Sequence, residues 1–192
     1  MRTCRSEKMG NALLKPIADS AQHPLRRQPT MALLKGGKSV DDAWQRIDGD
    51  EVLPETGPVV VDLSRWQQDR ESLIARADAV GVRLQSDDDP ESLAGDLDHL
   101  TLIALDFPGF KDGRAYSSAR VLRERHAFKG ELRAVGDVLL EHLLFMHRCG
   151  FDAFEIQSDD PERDWQIAVD DFDVWYQPTA DGRPTALQRR SS

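Results

Sequence analysis

The sequence predicts an α/β fold in which repeated strand–helix units form a mostly parallel sheet of about five strands. From residue 58 onward, short β-branched or aliphatic runs alternate with stretches of helical periodicity. An acidic or small residue able to cap a helix usually follows each run. Alternating strands and helices with short connections imply parallel strands and right-handed crossovers. Five units suit either a flavodoxin-like open sheet or a partial βα barrel, since a complete eight-fold barrel normally needs a longer chain.

The 192 residues divide into four segments by composition. Residues 1–30 are basic and rich in proline, which predicts a disordered arm. A mis-assigned start codon is an alternative for this arm, because a more regular sequence opens at MALLKGGK. Residues 31–57 form a predicted hairpin or edge segment, residues 58–178 the α/β domain, and residues 179–192 a polar tail.

The first two units are predicted from apolar runs and helix signals. VVVDLS (59–64) is the first strand, and a helix over about 68–80 places Leu73, Ile74, Ala77 and Val80 on one face. GVRLQS (81–86) is the second strand. Asp89 and Pro90 then mark a helix start, and a buried stripe follows at Leu93, Leu97 and Leu100.

The remaining units follow the same pattern. LTLIALDF (100–107) is almost wholly apolar, which predicts a central strand covered on both faces, with a helix over about 115–126. ELRAVGD (131–137) is the fourth strand, and Asp137 is the predicted cap of the apolar helix VLLEHLLFMHRC. DAFEIQ (152–157) is the fifth, before a last helix that begins at Asp160 and Pro161. ALLKGGKSV, DAWQRID and VWYQP are candidate hairpin or edge strands.

Composition excludes several classes of function. The net charge is −9, and residues 1–30 carry six basic and two acidic residues, so the rest of the chain carries −13. Such an acidic body argues against general nucleic-acid binding, which needs a basic surface. No apolar run is long enough to span a bilayer and no signal peptide is evident, so we expect a cytoplasmic protein without membrane attachment.

The sequence leaves the cofactor unknown. No motif for NAD, flavin, a metal ion or an iron–sulfur cluster is present: the GxGxxG, P-loop, GxSxG, HExxH and CxxC patterns are all missing. Cys4 and Cys149 lie far apart and without histidine at ligand spacing, so neither a disulfide framework nor a zinc site is indicated.

Candidate chemistry concentrates in the loop after the third strand. Ligands of parallel sheets bind where the carboxyl ends of the strands meet, and Asp106 ends the most buried strand as a candidate general base. Asp112 and Gly113 form a strong turn dipeptide in this loop. Gly136 and Asp137 end the neighbouring strand.

Three arginines form the candidate anion-binding group. Arg114 enters the predicted helix, and Arg120 and Arg123 follow at a spacing that shares one helical face. Tyr116 and Ser117 are candidates to join them. The alternative is that Asp106 and Asp112 pair with these arginines and fix the loop without forming a site.

The stretches FPGFKDGRAYSSARVLRER and GELRAVGDVLLEHLLFMHRCGFDAFE resemble a bacterial family of unknown function. The resemblance spans residues 31–189, including the MALLK start, DDDPESLAGDLDHLTLIALDFP and YQPTADGRP. It departs in the helix after Asp137, and residues 1–30 fall outside it. No catalytic residue can be carried over. The family pattern matches at Phe107, Pro108, Asp112, Gly113, Arg114, Tyr116, Ser117, Ala119, Arg120, Leu122, Arg123, Gly136 and Asp137.

Genes of this family commonly neighbour those of assimilatory sulfite reductase, and members are often labelled oxidoreductases. The resemblance therefore implies a role in sulfate assimilation, as an accessory protein that binds sulfite reductase or its redox partner. An acidic body suits docking on a basic redox partner. The alternatives are a small enzyme that holds an anionic sulfur or phosphate compound through the arginines, and a flavin-dependent reductase.

Overall fold

The computed structural model describes residues 30–170, 174–179 and 182–190. The predicted disordered arm, apart from Thr30, lies outside the described residues, and so does part of the predicted polar tail. None of the described helices is both long enough and apolar enough to cross a membrane.

The described residues form a single eight-stranded sheet with helices on one side. The strands are β1 (Met31–Lys35), β2 (Lys38–Val40), β3 (Gln45–Ile47), β4 (Val59–Asp62), β5 (Val80–Leu84), β6 (Leu102–Phe107), β7 (Glu131–Gly136) and β8 (Ala153–Gln157). The helices are α1 (Leu63–Ile74), α2 (Arg114–Arg120), α3 (Leu143–Arg148), α4 (Pro161–Asp170) and α5 (Ala186–Arg190).

The sheet is mostly parallel, as predicted. Its strand order is β2-β1-β8-β7-β6-β5-β4-β3; the strands from β3 to β8 run parallel to one another, whereas β1 pairs antiparallel with β8. The predicted number of about five strands is wrong, because the segment before residue 58 adds the β1–β2 hairpin at one edge and β3 at the other. The consecutive order from β3 to β8 has no reversal point, so the sheet is not the doubly wound, flavodoxin-like alternative.

Successive side chains of each strand point to opposite faces of the sheet, and the two faces pack differently. Right-handed crossovers between consecutive strands place every crossover helix on the same face. The side chains of Val59, Val61, Ile103 and Leu105 point to that face and pack with the helices in the main core. Every second residue points to the opposite face, where Val60, Leu102, Ala104 and Val135 form a small apolar floor.

The length of one connection requires the sheet to curl. Seven strand spacings of ~4.8 Å separate the two edges of the sheet, or ~34 Å if it were flat. The five residue steps from Val40 to Gln45 reach at most ~18 Å. The sheet therefore curls into a half-barrel, and residues 41–44, which we name the strap, cross its open concave face. Trp44 of the strap packs on the apolar floor.

Three predicted helices differ from the observed structure. The first spans Leu63–Ile74 instead of about 68–80, and Val80, which was predicted on its buried face, begins β5. After β5, Asp89 accepts a hydrogen bond from the Glu91 N–H, as expected of a cap, but only the 3-10 turns Pro90–Leu93 and Leu97–His99 follow. After β7, Asp137 caps no helix. Its own N–H donates to the Phe107 carbonyl at 2.7 Å, which holds it at the end of the sheet. The helical segment accordingly begins later, with the turn Leu140–His142 and then α3.

The predicted edge strand VWYQP is also wrong within the described residues. Trp175 makes one isolated bridge with Thr185 and no ladder. The chain around it instead continues into the short helix α5.

Candidate functional site

Four loops meet where the parallel strands β5 to β8 end, and we name this edge the carboxyl rim. It consists of residues 85–89, 108–114, 137–142 and 158–160. The rim carries eight carboxylates against two cations, a net charge of −6 with His142 neutral. The carboxylates are those of Asp87, Asp88, Asp89, Asp112, Asp137, Glu141, Asp159 and Asp160, and the cations are Lys111 and Arg114.

Arg114 lies on the rim, but its charge is already paired. Its Nη2 donates to a carboxylate oxygen of Asp112 at 2.6 Å and to the Ser86 hydroxyl at 2.7 Å. The hydrogen bond from Arg114 holds the pKa of the Asp112 carboxyl well below its ordinary value. Gly113 is the residue immediately before α2. The loop is thus held by the Asp112–Arg114 pair that the alternative interpretation predicts, but Asp106 pairs with Arg83 and not with any of the three predicted arginines.

Tyr116 and Ser117 differ in their surroundings. The half-buried ring of Tyr116 packs edge-on against Phe107, with 5.3 Å between the ring centroids. Burial raises the pKa of the Tyr116 hydroxyl to about 12. Ser117 is exposed on α2. Tyr116 is therefore a packing residue of the helix–sheet interface, whereas Ser117 faces solvent.

Arg120 and Arg123 do not join Arg114. Arg120 is exposed and makes an i,i+4 ion pair with Glu124. Arg123 donates to the carbonyls of Phe128, Gly130 and Gly150, and it also pairs with Asp152. Gly130 and Asp152 immediately precede β7 and β8, so Arg123 lies at the amino edge of the sheet.

The three predicted anion ligands are consequently far apart. Arg114 lies at the carboxyl edge and Arg123 at the amino edge, separated by the length of a six-residue strand such as β6, ~20 Å. One small anion cannot contact both. A binding role for any single arginine of the three stays a prediction.

Asp106 ends the central strand on the concave face. Its Oδ1 accepts a hydrogen bond from Arg83 Nη2 at 2.5 Å, and both side chains are largely buried. Gly136 lies beside it with φ +93°, and a Cβ there would fall 3.0 Å from Asp106 Oδ1 and 2.5 Å from the Phe107 carbonyl oxygen. The glycine thus allows β7 to pass close to the carboxylate. The role of Asp106 as a general base stays a prediction.

A second arginine of the same face, Arg133, lies on the neighbouring strand β7 and is buried. The Arg133 side chain is 3% exposed. Its Nε donates to Glu131 at 2.9 Å, and its Nη1 donates to Asp42 of the strap at 2.8 Å and to Glu155 at 3.2 Å. Burial lowers the pKa of Arg133, but hydrogen bonds and charges from Asp42 and Glu131 outweigh it and raise the pKa above the ordinary value.

The strap, the floor and these arginines enclose a cavity of about 60 Å³. Trp44 and Asp42 form its cover, Arg83 and Arg133 its polar side, and the apolar floor its base. Sequence reasoning missed this site. Arg83 and Arg133 interrupt otherwise apolar strands, and a charge within a buried strand is the signal that could have revealed it.

Apolar side chains are exposed on the carboxyl rim. Phe110 is 59% exposed and stacks on His142, with 5.2 Å between the ring centroids. Next to it, Met31 at the start of β1 and Leu140 line a groove of about 240 Å³ with Gly136 and Gln157. Acidic loops therefore surround an exposed aromatic ring and a groove whose walls are partly apolar and partly polar.

Among residues 30–170, 174–179 and 182–190, no group of three or more His, Cys, Asp or Glu side chains is arranged to hold a metal ion. The buried and paired groups of the concave face are mainly arginines and carboxylates.

The comparisons with known proteins concern the second half of the fold. No curated protein and no solved structure shows a significant match to the chain. A family model described as bacterial protein of unknown function (DUF934) matches residues 81–187, which contain β5 from its second residue, β6 to β8, the carboxyl rim, Arg83 and Arg133. Because this match covers more than half of the chain, the protein belongs to the bacterial DUF934 family.

Proposed function

We propose that this protein is a non-catalytic accessory protein of assimilatory sulfite reduction. It binds sulfite reductase or the redox partner of that enzyme through the carboxyl rim. The sulfur pathway rests on the resemblance to a family whose genes neighbour those of the reductase. The docking surface rests on the geometry of the rim.

The observation that carries the proposal is the exposed Phe110 within a rim of net charge −6. Protein interfaces combine a central aromatic anchor with a polar margin, and aromatic residues dominate their binding energy. An acidic margin of this kind complements a basic partner surface and speeds association with it. The occupant we propose is therefore a protein with a basic patch.

The same geometry favours docking over the alternative of a small enzyme with an arginine-lined anion site. Arg114, Arg120 and Arg123 are each held by a carboxylate, and the first and third lie at opposite edges of the sheet. The small-enzyme alternative requires a cluster of accessible positive charges, whereas the carboxyl rim is negatively charged.

The test measures binding of the purified protein to sulfite reductase, and separately to its electron-donating partner, from the same bacterium. We expect affinity to fall as ionic strength rises, because charges carry much of the association rate. Phe110→Ala is expected to weaken binding about 10-fold or more, as loss of an interface anchor does. The matched control is Ile167→Ala, which removes an equally exposed apolar side chain (60%) from α4.

Two triple variants distinguish the effect of the rim charge on binding from the effect of the net charge of the whole protein. Asp87→Asn, Asp137→Asn and Asp159→Asn together neutralise three exposed rim carboxylates, while Glu55→Gln, Glu71→Gln and Asp98→Asn neutralise three exposed carboxylates elsewhere. We expect only the rim set to slow association. Absence of binding to either protein at low salt, or equal effects of both sets, would refute docking through the rim. A visible flavin spectrum of the purified protein would instead support the flavin-dependent reductase.

A further inference from the structure

A groove beside the carboxyl rim is acidic and partly apolar, and no described residue covers it. We name it the rim groove; it is lined by Met31, residues 136–140, Glu155 and Gln157. Met31 is 57% exposed and Leu140 is 39% exposed, although both are large apolar side chains. Asp137 and Glu155 supply two carboxylates, and none of the described lining residues is a cation. The groove thus offers an apolar surface and negative charge to its occupant.

The size and charge of the rim groove suit a basic peptide segment. Its volume of about 240 Å³ is below the ~300–1,000 Å³ of most small-molecule pockets. Of its two carboxylates, Glu155 accepts a hydrogen bond from Arg133 Nη1 at 3.2 Å. Asp137 is exposed and makes no ion pair with the described residues. The Asp137 carboxylate is therefore available to a cation.

The chain enters the sheet beside this groove. Met31 pairs with Gln157, the last residue of β8, and the Ser158 N–H donates to the Thr30 carbonyl at 3.2 Å. Residues 1–29 lie outside the described residues, but the peptide bond to Thr30 joins them to the fold at this edge. The residues that immediately precede Thr30 are therefore tethered next to the rim groove.

The sequence of this tethered segment complements the groove. It reads PLRRQP (24–29), with a leucine, two arginines and a glutamine between two prolines. The four residue steps from Thr30 to Arg26 span at most ~14 Å, so both guanidinium groups are held near the Asp137 carboxylate. Arginine binds carboxylates in a bidentate geometry, and residues 1–30 carry a net charge of +4 against the −6 of the rim. A short tether also gives the segment an effective concentration of about 1 mM, which populates even a weak contact.

We propose that residues 24–29 occupy the rim groove and cover part of the carboxyl rim. The leucine of this segment packs against the exposed apolar side chains of the groove, and its arginines pair with Asp137. The chain's own basic segment then competes with a basic protein for the same acidic surface. The contact itself needs no partner, whereas its role in regulating binding rests on the function proposed above.

Trypsin cleavage of the full chain measures the contact without any partner. The protease needs an accessible segment, so occupancy of the groove slows cleavage after Arg26 and Arg27. Cleavage after Arg5 and Lys8 of the same molecule, far upstream of the tether, is the internal reference. Mass spectrometry follows both pairs of sites. We expect cleavage after the two arginines to become faster relative to the reference sites as salt screens the contact.

Two matched double variants locate the contact. Asp137→Asn with Leu140→Ser alters the groove, while Asp98→Asn with Ile167→Ser makes similar changes at exposed positions elsewhere. We expect only the groove variant to speed cleavage after the two arginines, by about 5-fold or more relative to the reference sites. Photocrosslinking from benzoylphenylalanine in place of Leu25 is a second measurement that needs neither variant, and we expect the crosslinks to lie in the groove.

Competition is measured by binding to sulfite reductase and to its electron-donating partner. Arg26→Ser with Arg27→Ser is expected to tighten binding about 5-fold, because the tethered competitor is weakened. The control is Arg2→Ser with Arg5→Ser, which changes the net charge equally but far from the tether and should have a smaller effect.

Three results would overturn the contact. The first is a cleavage ratio that the groove variant leaves unchanged or that its control changes equally. The second is crosslinking from position 25 only to residues outside the groove. The third is that the protein isolated from the bacterium begins at Met31 and so lacks the segment. Equal tightening by both arginine pairs would refute the competition. Absence of binding to either protein would refute docking through the rim, while cleavage and crosslinking still decide the contact.

Discussion

Replacing Arg133 with methionine should destabilise the protein strongly, because this one side chain makes ion pairs with three carboxylates on the concave face. Removing one partner of a buried ion pair typically costs about 3–5 kcal/mol. The Glu131 side chain is 9% exposed, but it keeps Lys35 at 2.7 Å, while Asp42 and Glu155 are one-third exposed. Solvent and Lys35 therefore offset part of the penalty, and we expect a loss of about 3 kcal/mol.

Urea unfolding followed by circular dichroism measures this loss. For a chain of this length, a decrease of about 3 kcal/mol corresponds to a fall in melting temperature of about 9 °C. Arg46→Met is the matched control, since Arg46 makes an exposed pair with Asp48 and should cost less than about 0.5 kcal/mol.

A triple variant tests the physical cause. Adding Glu131→Gln and Glu155→Gln to Arg133→Met removes two of the three carboxylate charges together with the cation and leaves only Asp42, which is 37% exposed. Buried ion pairs replaced as a set are often neutral for stability. We expect the triple variant to be more stable than Arg133→Met alone. The reasoning is refuted if Arg133→Met is as stable as Arg46→Met, or if the two glutamines give no recovery.

Two further predictions concern Asp96 and Gly136. The hydrogen bond with Arg70 is the main reason that the pKa of Asp96 is lower in the folded protein. The ionised carboxylate therefore stabilises the fold at pH values above its unfolded pKa of about 3.9. This contribution is lost as the pH falls through the lower pKa of the folded state. Asp96→Asn should lower the free energy of unfolding by about 1 kcal/mol at neutral pH. In urea unfolding, the difference in stability between the variant and the unmodified protein should shrink below about pH 4, and a difference that stays constant with pH would contradict this prediction. Gly136→Ala should cost about 2 kcal/mol or more because of the positive φ and the contact with the Phe107 carbonyl. Gly95→Ala, with nothing within 4 Å of the added Cβ, is the control in thermal unfolding, and equal melting temperatures for the two variants would contradict the strain.

The parallel α/β sheet was predictable because its signals are local. The apolar runs of β4 to β8 are bounded by turn and cap residues, and each predicted strand overlaps the observed one. ALLKGGKSV and DAWQRID were predicted as candidate hairpin or edge strands, and they overlap β1 to β3. Which strand each of them pairs with was not predicted, because segments of three to five residues carry no period that specifies a distant partner. Their positions at both edges follow from long-range pairing, which a local pattern does not encode.

The site was less predictable than the fold. The spacing of Arg120 and Arg123 suggests one face of an α-helix, but the π-helical turn Val121–Arg125 begins between them. The hydrogen bond from the His126 N–H to the Val121 carbonyl spans five residues and widens the turn that carries Arg123, so the spacing no longer specifies a shared face. The pairing of Arg133 with Asp42 joins residues far apart in sequence and depends on how the sheet curls.

The pairing of β1 with β8 has a consequence for folding during synthesis on the ribosome. Met31 of β1 pairs with Gln157 of β8, so the first strand described is hydrogen-bonded to a strand that the ribosome produces 126 residues later. At ~5–20 residues per second, the β1–β2 hairpin waits ~6–25 s for its partner. During that interval β1 has no partner on the side of the sheet, and we expect the nascent hairpin to depend on chaperones until β8 emerges.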